Sequence, residues 1–316
     1  MNRPPMLFII SAFLLALSGG ALSGFARAQP HAPLRLDPQR VSWEHLRYQS
    51  KNMMVTLTAE MKLQALPAVQ AEAVFLKNPR GTPLKASGPE VLHIALDMMI
   101  DFIFRAPVII TNEVWFNPDD AAALGRFRLR RGEDDFEKTY RFTEQGVFRR
   151  NREPRTREEA ALDPDQWSRL IDTFYSHDLD QLGCPVVTER LVLIYILSAI
   201  ENLKDHQPFS LCVFGKRQLH RVELKPEGSQ TLKVDFVEKQ PQAETRRQGE
   251  VQAIKIALKA EPMVSDLDKP ENFSLLGLHK NIVIFIDPKT RLPIQITGDI
   301  TTIGKATLKL LEVQYR

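Results

Sequence analysis

The sequence has little of what usually announces catalysis. It holds only two cysteines, Cys184 and Cys212. That is too few for a multi-bridge scaffold. None of its seven histidines falls in a zinc-protease pattern. Beyond the first 28 residues there is no phosphate-cradling glycine loop, no G-x-G-x-x-G and no G-x-S-x-G elbow. No motif therefore points to a cofactor, a resident metal or a catalytic residue. Long apolar runs are also missing. Past the leader, "LVLIYIL" (191–197) is the longest, too short to span a bilayer, and it reads as a core helix. Charge of one sign is missing too. The formal net charge is +3, which gives no argument for nucleic acid as a partner.

What is present begins at the N-terminus. Arg3 precedes an apolar stretch from Leu7 to Leu17, and Ala26-Arg27-Ala28 is a small-x-small cleavage signal. This predicts a secretory signal peptide over 1–28, cut after Ala28. No twin arginine precedes the apolar stretch and no cysteine lies at the cut, so general export to a bacterial periplasm is expected, without a lipid anchor. Cleavage removes Arg3 and Arg27 and leaves 288 residues of net charge +1, expected to form a single β-rich domain over 29–316. An oxidising compartment allows a Cys184–Cys212 disulfide. Two buried free thiols satisfy the sequence equally, because spacing alone does not place the Cα atoms.

Strands are predicted over 41–153. In "MMVTLTAEMKL", Met53, Val55, Leu57, Ala59, Met61 and Leu63 share one face and polar residues most of the other. "GRFRLRRGEDDFEKTYRF" reads as a hairpin with an apolar and a charged face. A helical insert is predicted over 163–204. Asp163, Pro164 and Gln166 resemble a capping box. Trp167, Leu170, Ile171, Phe174 and Tyr175 follow at helical spacing. "TERLVLIYILSAIENLK" is a second helix, capped by Thr188 and apolar nearly all round. Strands return over 207–316, with residues 239–250 as a long polar hairpin loop. A phase slip near Leu310 predicts a β-bulge.

"VLHIALDMMIDFIF" (91–104) is the most informative stretch. Leu92, Ile94, Leu96, Met98, Ile100, Phe102 and Phe104 occupy every even position, as on one strand face. His93, Asp97 and Asp101 fall four apart, which on a helix would form a stripe able to hold a divalent metal. On a strand each four-residue step spans about 13 Å, too far for one ion to join. Strand-like neighbours favour the strand and no metal site. The arginines 126, 128, 130 and 131 are able to grip phosphate or lipid head groups. Carboxylates 133–135 and 137 across the hairpin favour a solvated charged face instead. His177 reads as a residue at a helix C-terminus.

The C-terminal pattern Asp287, Arg291-x-Pro293-Ile294 and Gly304, within "IVIFIDPKTRLPIQITGDITTIGKATLKL", resembles an uncharacterised bacterial envelope family, domain of unknown function 3108. The likeness is best over 185–316 and brings no catalytic residue. It implies a large curved antiparallel sheet, an incomplete barrel, with two central helices on its concave face. That arrangement is similar to periplasmic lipoprotein carriers. The expected role is non-enzymatic binding of a lipid-like or other apolar ligand. The even face of 92–104 and Leu191, Ile194, Tyr195 and Leu197 are the expected cleft lining. A second expectation is an envelope-assembly protein docking a partner through a sheet edge or the arginine-rich face. A metal-dependent hydrolase is the third.

Overall fold

The computed structural model describes residues 35–201, 203, 207–263, 271–301 and 304–316. The proposed signal peptide lies outside them. Fifteen strands follow in chain order: β1 Trp43–Lys51, β2 Val55–Pro67, β3 Glu90–Phe102, β4 Arg105–Phe116, β5 Ala123–Arg131, β6 Phe136–Thr143, β7 Gly146–Glu153, β8 Arg169–Ser176, β9 Val187–Glu189, β10 Phe209–Phe214, β11 Leu219–Gln240, β12 Ala243–Pro262, β13 Lys280–Ile286, β14 Pro293–Ile300 and β15 Gly304–Tyr315. They form one sheet in the order 8-7-6-5-4-3-2-1-15-14-13-12-11-10-9. Pairing is antiparallel except for β9 on β10 and a short β11–β15 contact. The mainly β fold with one large curved sheet, expected from the strand pattern and the family resemblance, is the observed architecture, a partial ring.

Alternation explains the curvature. The even side chains of β3 and the odd ones of β2 face inward, and Leu57, Ala59, Met61, Leu63, Ile94, Leu96 and Met98 are buried. The helix Val192–Ala199 plugs this concave face with all eight residues buried. Its few polar groups are satisfied. Tyr195 donates its hydroxyl proton to the Pro118 carbonyl at 2.7 Å, and Trp43 Nε1 donates to Ser198 Oγ at 3.1 Å. A bulge interrupts the β3–β4 register between Ile100 and Phe102. Another skips Leu311 between Glu312 and Leu310 on β15, where the sequence predicts one.

Side chains, not strand pairing, bring the two ends of the sheet together. Tyr140, Phe142 and Val147 from β6 and β7 pack with Val187, Phe214 and Leu219 from the β9–β11 end. Beside them the fully buried Arg126 Nη1 of β5 donates to Glu189 Oε1 of β9 at 3.0 Å and to the Gly215 carbonyl at 2.8 Å. Its guanidinium lies over the Tyr140 ring. Cys184 and Cys212 are bridged, with Cα atoms 5.8 Å apart. The bridge staples the segment that carries both Glu189 and the plug helix.

Four local expectations are corrected. The helix expected from Asp163 is a single 3-10 turn, Pro164–Gln166, followed by strand β8. Ile171, Thr173, Phe174 and Tyr175 favour a pleated surface, and β7 offers an open edge. Eight residue pairs form, reinforced by Arg150 bidentate to Asp172 at 2.9 Å each. His177 thus follows a strand, not a helix. Thr188 lies in β9 and does not cap the second helix, which is shorter than expected. The polar loop expected at 239–250 is the tip of a long hairpin, paired up to Gln240 and Ala243. Opposite charges face each other along it, Lys233 to Glu250 and Lys239 to Glu244. Such pairs hold a solvated ribbon together.

Candidate functional site

Between the concave face of β2–β5 and the segment 274–277 lies a cleft of about 280 Å³. One wall is apolar: Leu57, Leu96, Met98, Ile100, Phe102, Val108 and Ile110. Leu191, Leu275 and Leu276 face it. Of the expected lining, Leu96, Met98, Ile100, Phe102 and Leu191 border this space. Leu92, Ile94, Ile194, Tyr195 and Leu197 are packed solidly in the core instead. They are buried there, so they leave no open surface. Phe104 stands outside the cleft, 85% exposed, because β3 ends at Phe102 and the turn breaks the alternation.

Phe104 belongs to a second feature at the cleft mouth. The β1–β2 turn presents Met53 and Met54, and the β3–β4 turn presents Ile103 and Phe104, all exposed. Together they border a groove that shares Val55, Phe102 and Arg105 with the cleft. The Asn52 side chain shapes the first turn by accepting from the Met54 and Val55 amides.

The other end of the cleft is cationic. Register places Val114, Asn112 and Ile110 opposite Arg126, Arg128 and Arg130. These arginines therefore share the concave face with β3's even residues. The expectation of a solvated charged face on β5 is corrected. Phe127 and Leu129 point outward, where Phe127 packs beside the cluster of Phe75 and Trp115. Arg128 and Arg130 border the cleft with Arg105, Arg190 and Lys216, and among the described residues Glu133 is the only carboxylate in the lining. Glu133 lies 3.2 Å from Arg105 and 3.9 Å from Arg130. Glu189 is shared between Arg126 and Arg190, and also accepts the Leu191 amide at 2.6 Å. Glu271 accepts the backbone amides of Lys216 and Arg217.

The crowding of positive charge leaves an electrostatic signature. Burial, then the neighbouring Arg190 and Arg126, push Arg128 down to about 9. Burial with Arg128 and Arg149 pushes Lys138 down to about 8. Lys216 and His279 are lowered as well, again by burial first and nearby cations second. Asn112, buried in the same lining, has no partner for Oδ1 among the described residues.

His93, Asp97 and Asp101 lie along the outer face of β3. His93 stacks on Trp115 and bonds Glu113 at 2.9 Å and Gln64 at 3.0 Å. Asp97 accepts from Thr111 Oγ1 at 2.8 Å. The three do not converge, and among the described residues no three His, Cys, Asp or Glu side chains group as metal ligands. No described helix is long and apolar enough to cross a membrane. The sequence reading missed Arg190, Lys216, Leu275 and Leu276. Only Glu189-Arg190, two charges directly before an all-apolar helix, carried a signal, since buried charges need partners. Comparison with family models, curated proteins and solved structures found no match to this chain.

Proposed function

We propose that this is an exported, non-enzymatic binding protein that holds a lipid-like apolar ligand in the concave cleft. The observation that carries the reading is the apolar wall of β2–β4 standing across open space from Leu191, Leu275 and Leu276. Apolar surface left wet costs about 25 cal/mol per Å², and a bound chain would recover it. The exposed Met53, Met54, Ile103 and Phe104 at the mouth favour entry of an apolar molecule there. The Cys184–Cys212 bridge agrees with an oxidising destination such as the periplasm. Membership in the envelope family that residues 185–316 resemble is part of the same proposal.

The test is to extract the purified protein with organic solvent for mass spectrometry and to titrate it with a fluorescent apolar probe. A recurrent co-purified lipid, or saturable probe uptake, supports the reading. Absence of both overturns it. Docking of an envelope partner is the second reading, favoured by β8. That strand ends the sheet, and its Arg169, Leu170 and Asp172 are exposed. In-cell crosslinking from position 170 should then capture one dominant partner, and a blank result removes this reading.

A further inference from the structure

We infer that the ligand of this cleft is an amphiphile with an anionic head group, phosphate or carboxylate, received by Arg128, Arg190 and Lys216. The inference rests on the cleft being a ligand site and adds the chemical class. Its basis is an imbalance. Among the described residues, five cationic side chains border the cleft against one carboxylate, Glu133. Glu133 sits at the turn near Arg105 and Arg130, at the open end. Glu189 is already divided between Arg126 and Arg190. Among the described residues neither Arg128 nor Lys216 has a carboxylate within ion-pair distance.

Half-buried cations on a concave sheet face normally find a counter-ion, because low dielectric raises the cost of leaving them unpaired. Arg128 instead has Arg190 and Arg126 as its main charged neighbours. An anion placed among them relieves that repulsion and accepts several charge-assisted hydrogen bonds. The apolar wall begins directly beside these groups, so one ligand would touch both. At about 280 Å³ the space is at the small end of ligand cavities, which suits a single chain and not a multi-chain lipid.

Calorimetric titration of the purified protein with octyl phosphate, octanol, octyltrimethylammonium and inorganic phosphate tests this. Octyl phosphate should bind about tenfold or more tighter than the other three. Arg128→Gln should remove that advantage of octyl phosphate over octanol. Octanol or the cationic probe binding as well as octyl phosphate would overturn the anionic head group and leave the apolar cleft standing. Inorganic phosphate binding equally well would overturn the amphiphile in favour of a free-anion site. No binding by any eight-carbon probe would overturn the cleft reading itself. Circular dichroism checks the variant's fold. Should it be misfolded, the ranking of probes on the unaltered protein decides alone.

Discussion

Removing the Cys184–Cys212 bridge should weaken the closure of the half-ring. The bridge spans 28 residues, and that loop contains Glu189, Arg190 and the whole plug helix. For such a loop the chain-entropy relation gives about 12 cal/mol/K, or about 3.6 kcal/mol at 25 °C. In a chain of this length that lowers Tm by roughly 7 °C. The double variant Cys184→Ala/Cys212→Ala should therefore unfold at lower urea concentration. Its m value should rise, because the uncrosslinked denatured chain exposes more surface. Tryptophan fluorescence is the readout, since Trp43 bonds Ser198 inside the stapled segment. Equal midpoints for the oxidised protein and the double variant would refute both the bridge and its role.

The buried pair gives an asymmetric expectation. Arg126→Met should cost about 3 kcal/mol, the low end for breaking a buried pair, because Glu189 keeps Arg190 and the Leu191 amide. Combined with Glu189→Gln it should cost less than the sum of the single changes, which a urea double-mutant cycle measures. Lys138 holds its proton less tightly folded, at about 8, than at its ordinary 10.5. Below pH 8 both states are charged and the folded protein carries the full penalty. Between about 8 and 10.5 the unfolded state binds more protons, so this group's contribution to stability rises with pH. Lys138→Met should thus stabilise at pH 7, by less than the roughly 3 kcal/mol of the full shift because solvent screens a partly exposed group, a gain that melts at rising pH should show fading above pH 8. Ile100→Trp should fill the cleft, cutting fluorescent-probe uptake at least severalfold with little change in Tm. A loss of several degrees would instead mean that the position is tightly packed.

How much was legible in the sequence follows from which forces act locally. Period-two alternation over 53–63 and 92–102 separates an apolar face from a polar one, so these strands and their inner faces could be read directly, whereas the curved sheet was implied by the family resemblance. The phase slip near Leu310 marked its bulge for the same reason. The all-apolar run 191–197 read as a helix buried on most sides. The segment 163–176 misled because its apolar spacing fits a helix as well as a strand, and the open edge of β7 decided between them. The arginines of β5 misled more deeply. Alternation separates two faces without saying which is inside, and an arginine face looks like the wet one. It turns inward because β5 continues the register of β3 and β4, and because Glu189, 63 residues away, supplies a buried counter-ion for Arg126. The cleft likewise joins β3, Lys216 and the segment 274–277. No local pattern encodes that meeting, since only the closing of the half-ring sets those side chains face to face.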